Sequence, residues 1–400
     1  MEIEEARELI LEKIKNTEGT EIKALEDSFG YVLAQDITSK RDIPSFPRST
    51  MDGYAVHSDD IKGANRDNPV KLTVTEELCA GDVPDKSKDH GPGTTVRIMT
   101  GAYIPEAYNA VIMQEKTNYA MDIVEIYEDI KPYQNYCKVG EDLQKGSLVV
   151  SKGTRLNPSH LSLIAELGID NVFIYKPLRT AIISTGSELQ DVSEKAAPGK
   201  IFNSIAYMLQ AYIRRQGLIV SMRDICPDDE KTLKIKIEEA IKKSDFIITT
   251  GGVSVGKRDI VPKVISEMGG KLLFQRADIQ PGTPTAAFDL NGKIVLALSG
   301  NPYAAMANFE MYYWDAAARF MNCSDYKPDR KCAILKSEYT KINKHRRLLR
   351  AYYEDGEVSL IDSVHASSVI SNLTKCNCYI DLEAGRSVQI GDSVRVQLFK

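Results

Sequence analysis

Apolar residues in this chain recur at two spacings, and the changes between them divide it. Residues 3–15 put Ile3, Ala6, Leu9, Ile10 and Ile14 on one helical face. Acids fill the first turn, where the helix dipole favours them. From Val70 to about Val139 the texture becomes short β-rich runs, VKLTVT, TVRIM, AVIMQ and DIVEIY, separated by clusters such as Gly91-Pro92-Gly93. A small β-domain is expected there. Leu161, Ile164, Ala165 and Leu167 give a second helical pattern over 157–167, ended by Gly168.

The stretch 178–326 alternates between short apolar strand-like runs and helical spacing. A strand over 180–184 runs into Thr185-Gly186. A helix follows, with Ser204 as its expected cap and Ile205, Met208, Leu209, Tyr212 and Ile213 as its apolar stripe, stopped at Gly217. Next come a strand at 218–222, a helix at 229–243, a strand from Phe246 to Thr250 and a helix near 259–268. Asn291-Gly292 is a hairpin signal before the apolar strand Ile294–Leu298, and Gly300-Asn301-Pro302 opens a helix through about Met321. Alternating strands and helices predict a parallel α/β sheet with right-handed crossovers. After Pro328 alternation returns, as in VRVQLF at 394–399, and 329–400 reads as a small β-barrel or sandwich.

Length and composition narrow the class. At roughly 150 residues per domain, 400 residues hold about two to three domains. The chain is 27% charged and 43% hydrophobic, as in soluble globular proteins, and its formal charge of −5 announces no nucleic-acid or anionic-membrane partner. No apolar run approaches the roughly 20 residues that span a bilayer. The acidic start MEIEEARELI lacks a secretory pattern, and seven scattered cysteines offer no C-x-x-C spacing. Reduced thiols in a cytoplasm are expected.

Ligands of open α/β sheets bind beyond the carboxyl ends of the strands, where this chain places three small-residue loops. They are Ser184-Thr185-Gly186-Ser187-Glu188-Leu189, Thr249-Thr250-Gly251-Gly252-Val253-Ser254-Val255-Gly256 and Ser299-Gly300-Asn301-Pro302. Such backbones can form anion nests, so a phosphate or other oxyanion is the natural guest. No G-K-[ST] follows the glycines, which excludes a Walker A loop. Glu188, Asp228 and Asp259 accompany the loops, and carboxylates beside a phosphate nest suggest Mg²⁺. Each aspartate is also placed to cap a helix: Asp228 or Asp229 before Leu233, and Asp259 before Val261. By pattern alone, Asp52-Gly53 is a turn and Arg97–Ala102 a strand running into one. The KHRRLLR cluster ending at Arg350 reads either as a solvated face or as an oxyanion contact.

Taken together, the motifs resemble those of the molybdopterin molybdenumtransferases, the MoeA family that includes the gephyrin E domain. The resemblance rests on Met51-Asp52-Gly53-Tyr54-Ala55, Arg97–Ala102, Gly140-Glu141-Asp142, Ser184–Leu189, Gly251–Gly256 with Asp259, and Gly300-Asn301-Pro302, in family order and spacing. Arg350 and Ser371 stand at matching places in the last segment. Two departures are visible. Arg276 opens R-A-D-I-Q-P-G-T-P, where Gln280 and Thr283 replace family lysines, and Ser299 replaces a proline.

The resemblance implies an α/β multidomain subunit with four parts. These are a helical and extended domain (1–45 and 143–176), an inserted β-domain (46–142), a MogA-like parallel α/β domain (177–328) and a C-terminal β-barrel (329–400). It implies a cytoplasmic homodimer whose cleft joins the α/β domain of one copy to the inserted domain of the other. It also implies insertion of molybdate into adenylylated molybdopterin, with Mg²⁺-dependent release of AMP. Asp52, Thr100, Glu188, Asp228 and Asp259 then become catalytic candidates, with Glu188, Asp228 and Asp259 holding the metal. Thr185, Gly186, Gly251, Gly252, Ser254, Gly256, Arg276, Gly300, Asn301, Pro302, Arg350 and Ser371 would contact the cofactor. A molybdopterin adenylyltransferase is the implied partner. An adenylyltransferase activity of the chain itself, or a non-catalytic pterin-binding scaffold, are the alternative functions.

Overall fold

In the computed structural model, which describes residues 1–253, 260–361 and 366–400, the alternating stretch forms a doubly wound sheet. Its elements are β1 (Arg179–Thr185), α1 (Ser204–Arg215), β2 (Ile219–Cys226), α2 (Glu230–Lys243), β3 (Phe246–Thr250), α3 (Ile260–Glu267), β4 (Lys271–Gln275), β5 (Ala286–Leu290), β6 (Lys293–Leu298) and α4 (Pro302–Met321). The strand order is β2-β1-β3-β6-β5-β4. The first four strands are parallel, whereas β5 runs antiparallel to both of its neighbours, so β4 points the same way as the first four. The sheet is therefore mixed rather than wholly parallel. Asn291 and Gly292, at φ +56° and +77°, close a tight hairpin that forces β5 to oppose β6.

Register explains why both faces are apolar. Ile182, Ile248 and Leu296 are ladder neighbours and share a core with Leu209 and Ile213 of α1 and with Phe309 and Tyr313 of α4. One residue back, Ala181, Ile247 and Val295 face Leu233 and Ile237 of α2 and Val261 and Val264 of α3. A strand covered on both sides must be apolar at every position, and β3 is buried throughout. Asn203, not Ser204, caps α1, its side chain accepting from the Ala206 amide. Asp229 caps α2 through the Thr232 amide at 2.8 Å.

Helix α4 is buried on nearly its whole circumference, as a helix apolar all round must be. The sheet covers one side. Ile3, Ala6 and Ile10 of the N-terminal helix (Ile3–Leu11) join the same core. This packing puts Met1–Gln35 in one unit with Lys152–Leu161 and Asp170–Lys400. Arg155 fastens the unit by donating to the Gly30 and Gln216 carbonyls while stacking on Tyr326.

The C-terminal strands are β7 (Arg330–Leu335), β8 (Arg346–Glu354), β9 (Glu357–Leu360), β10 (Cys378–Leu382) and β11 (Ser393–Leu398). They pair in the order β8-β9-β7-β11-β10, and β10 pairs back onto β8, closing a five-stranded barrel. Alternate residues such as Leu349, Ala351, Ile380 and Val396 fill it.

The second unit comprises Asp36–Ser151 and Ser162–Ile169. Its five-stranded sheet runs Ala110–Met113, Gly53–Val56, Thr94–Ile98, Val70–Leu78, Ile123–Ile126 in spatial order. Gly53 opens a strand instead of completing a turn. A Cβ there would lie 1.9 Å from the Ile112 carbonyl oxygen, so only glycine allows this pairing.

Glu310 is buried within α4, where its Oε2 accepts from the Lys400 amide at 3.4 Å and its Oε1 has no hydrogen-bond partner among the described residues. Burial pushes its carboxyl from the usual 4.5 up to about 8. The folded state thus binds a proton that the unfolded chain releases. Its stability is full below the ordinary carboxylate range and declines, by about 1.4 kcal/mol per pH unit, as pH rises toward the folded value. Glu310→Gln should leave the melting temperature near pH 4 almost unchanged and raise it near pH 8.5, as followed by circular dichroism. Equal shifts at both pH values would contradict this linkage.

Candidate functional site

The carboxyl ends of β1, β3 and β6 meet at the switch point of the sheet, since β1 continues to β2 on one side while β3 lies on the other. A pocket of about 570 Å³ opens there. Thr185, Gly186, Glu188, Asp228, Gly251, Gly252, Gly300, Asn301 and Pro302 all line it. The structure thereby brings together three separate loops and the loop after β2.

Buried hydroxyls lock the floor. Thr250 donates to the Ser184 hydroxyl at 2.9 Å, and Ser184 donates to the Asn203 side chain at 3.1 Å, the same carbonyl that caps α1. Gly251 sits at φ +87°, and a Cβ there would lie 2.3 Å from the Thr185 carbonyl oxygen. Its amide donates to the Leu298 carbonyl at 3.0 Å, tying β3 to β6. A Cβ on Gly300 would meet the Gly251 Cα at 3.5 Å, so two loops touch through backbone. Helix α4 starts at the pocket with Asn301 as its N-cap and Pro302 in its first turn, placing the positive end of a long helix dipole on the wall.

Asp228 and Ser187 bond reciprocally. The Ser187 amide donates to Asp228 Oδ2 and the Asp228 amide donates to the Ser187 hydroxyl, both at 3.2 Å. Asp228 is therefore a brace between two loops, and Asp229 does the capping. The Glu188 carboxylate makes no hydrogen bond or ion pair to any described residue; it lies against Gly186, where an added Cβ would meet its Oε1 at 2.6 Å. Asp259, Ser254 and Gly256 lie outside the described residues. Among the described residues no group of three His, Cys, Asp or Glu gathers as a metal shell. The two pocket carboxylates nonetheless suit a hard, oxygen-preferring cation.

Other candidates stand elsewhere. Arg350 is fully buried: it donates to the Val369 and Ala366 carbonyls at 2.7 and 3.0 Å and to Asn372 at 2.6 Å, and it stacks over Tyr303. It organises the segment after residue 366. Through that segment the Ser367 carbonyl accepts from the Tyr303 amide and Ser368 reaches the pocket. Ser371 begins the short helix Ser371–Lys375 and does not line the pocket. Arg276 is exposed at φ +69° and does not line it either. Where the family has lysines, Gln280 accepts from Arg347 and the Thr283 hydroxyl donates to the Ile279 carbonyl at 2.6 Å; Pro284 carries this segment to the pocket. In the second unit, the Thr100 amide and hydroxyl both donate to Asp52 Oδ1 at 2.7 Å. These bonds hold the exposed Asp52 carboxyl below the usual carboxylate range. Sequence reasoning missed Phe202, Pro284 and Ser368. Only the exposed aromatic before the α1 cap carried a local signal.

A doubly wound sheet with a glycine-lined, carboxylate-bearing pocket at its switch point is the arrangement of α/β proteins that bind a ligand beyond the strand ends. Three family models cover most of the chain: "MoeA N-terminal region (domain I and II)" matches residues 1–168, "Probable molybdopterin binding domain" matches 181–317 and "MoeA C-terminal region (domain IV)" matches 332–399. The molybdopterin molybdenumtransferase of Bacillus subtilis is 36% identical over 95% of this chain and 90% of its own length. That of Staphylococcus aureus is 34% identical over 94% and 90%. The crystal structure of a molybdopterin biosynthesis MoeA protein from Pyrococcus horikoshii superposes with a TM-score of 0.85 at 30% identity, covering 100% of both chains. The chain belongs to the MoeA family, the molybdopterin molybdenumtransferases of molybdenum cofactor biosynthesis.

Gly251→Ala should cost stability on the order of 1–3 kcal/mol, because the residue combines a positive φ with a backbone collision. Urea denaturation should show a lower midpoint than for the wild type. An unchanged midpoint would mean that the loops do not meet as described.

Proposed function

We propose that the pocket accepts adenylylated molybdopterin and that the chain inserts molybdate into it with release of AMP. The observation that carries this reading is the convergence of glycine loops, a long-helix N-terminus and two carboxylates on one pocket of a chain in this family. The Gly251-Gly252 and Gly300-Asn301 backbones would cradle the phosphates. Glu188 and Asp228, with Asp259, would hold Mg²⁺; when bound, the ion would neutralise the phosphoanhydride and polarise phosphorus toward attack. Asp228 already has one oxygen fixed by Ser187, which leaves the other for a ligand and sets the carboxylate's direction. The adenylyl group must end as AMP, so water supplies the oxygen that replaces the anhydride link. The cofactor dithiol would then take the metalate, two Mo–S bonds replacing one metalate oxygen, which leaves as water with the two thiol protons.

The protein would act in the cytoplasm as a homodimer, and a molybdopterin adenylyltransferase would supply its substrate. The Asp52–Thr100 pair would serve the pocket of the second copy, with Asp52 kept ionised by Thr100 to orient water or metal. The four-part division, 1–45 with 143–176, then 46–142, 177–328 and 329–400, is the domain organisation that accompanies this reading.

AMP release from adenylylated molybdopterin, with molybdate and Mg²⁺ present, is the test. Glu188→Gln and Asp228→Asn should each slow it by roughly a hundredfold, the scale of losing one preorganised electrostatic contact. The melting temperature should change little for Glu188→Gln, whose carboxylate bonds to no described residue. Wild-type rates in both variants would overturn the metal assignment. Adenylylation of free molybdopterin from MgATP would instead make the chain an adenylyltransferase.

A further inference from the structure

One wall of the pocket differs from the rest. Leu189–Gln190 and Ile201–Phe202 form a short parallel ladder, with Leu189 opposite Ile201 and Gln190 opposite Phe202. Leu189, Ile201, Phe202 and Ile205 all line the pocket on the chain segment leading into α1. Phe202 is the single aromatic side chain among the described lining residues, and it is 42% exposed. Ile201 beside it is 57% exposed. Phe202 makes no ring contact with any described aromatic or cationic side chain. Burying its face against a ligand would recover apolar area that the fold leaves in water.

The ladder is also firmly held. The Ile201 amide donates to the Glu188 carbonyl at 2.8 Å and the Asn203 amide to the Gln190 carbonyl at 3.0 Å. Lys200 Nζ donates to the Ser187 carbonyl at 2.5 Å. Asn203, immediately after Phe202, is 5% exposed and fixed by Ser184 and by the α1 cap. The aromatic is thus anchored through backbone to the loop bearing Glu188 and to the strand ends bearing the glycines. A rigid flat apolar surface at a fixed offset from a phosphate cradle matches a ligand with a planar ring on one side of a phosphate.

We propose that Phe202, supported by Ile201, is the stacking shelf for the planar heteroaromatic ring of the phosphorylated ligand, and so sets which ring system the pocket accepts. The assignment rests on the reading of the pocket as a phosphate site. The ring chemistry has two sources in an adenylylated pterin, the adenine and the pterin, which share a flat π face. Stacking is tolerant of ring identity, so replacing Phe202 by another aromatic should preserve binding while removal of the ring should not.

Calorimetric titration of the full-length protein with AMP, ribose 5-phosphate and molybdopterin, each with Mg²⁺, tests this. If adenine uses the shelf, the wild type should bind AMP more tightly than ribose 5-phosphate. Phe202→Ala should weaken AMP at least about fivefold and leave ribose 5-phosphate unchanged, while Phe202→Trp restores AMP binding. A loss confined to molybdopterin, again restored by tryptophan, supports the shelf and assigns it to the pterin. Unchanged affinity of Phe202→Ala for both ring ligands overturns the proposal while leaving the phosphate reading intact. If the wild type binds none of the three, the phosphate reading falls and the shelf with it. An altered oligomeric state in Phe202→Ala with ring binding unchanged would also overturn it, making the aromatic a subunit contact.

Discussion

The site depends on backbone meeting backbone where no side chain fits. At the carboxyl end of β3 the chain turns through a positive φ at Gly251, with the Thr185 carbonyl pressed against it and Gly300 close behind. A methyl group at Gly251 would collide with a neighbouring main chain rather than with a mobile side chain. Because these loops carry almost no bulk, the strand ends can lie close enough for one pocket to collect them. The hydroxyls of Ser184 and Thr250 and the Asn203 amide then satisfy the polar groups buried beneath. Without that network, polar atoms at the end of an otherwise apolar sheet would be left unpaired, at a cost of about 1–3 kcal/mol each.

Helix α4 transmits this geometry to the barrel. Its first turn forms part of the pocket, and its body is enclosed by the sheet, the N-terminal helix and the barrel strands. Tyr303 links the two ends of this arrangement: its amide donates to Ser367, and its ring lies beneath the Arg350 guanidinium. Arg350 is fully buried, with its charge met by carbonyls and an aromatic face. Those bonds tie it to the segment that delivers Ser368.

The pocket is also chemically divided. Carboxylates and bare amides lie along the strand ends, and an apolar ladder closes the α1 side. Such a division favours a ligand whose charged centre is flanked by an uncharged ring, which is the character of an adenylylated pterin. Asp52 and Thr100 make a separate small device in the second unit, where two donors on one oxygen keep a solvent-exposed carboxyl ionised.

Much of this was written in local pattern. Short apolar runs located β1, β3 and β6, and a period-3.6 stretch located α2, since burial on both faces imposes the first pattern and burial on one side the second. Asn291-Gly292 marked a hairpin, because positive φ is cheap only for such residues. The glycine loops with Glu188 and Asp228 were legible as one loop cluster beyond the strand ends, because that is where an open α/β sheet leaves a crevice. Sequence did not reveal that β4 pairs with β5 at the sheet edge, that Asn203 rather than Ser204 caps α1, or which of Asp228 and Asp229 caps α2. Nor did it show that Arg350 is buried, or that Phe202, Pro284 and Ser368 reach the pocket. Those outcomes depend on which distant segments share space. Local composition fixes an element's type and a loop's conformational freedom, whereas the direction and burial of a side chain are decided by packing among parts of the chain that a linear pattern cannot relate.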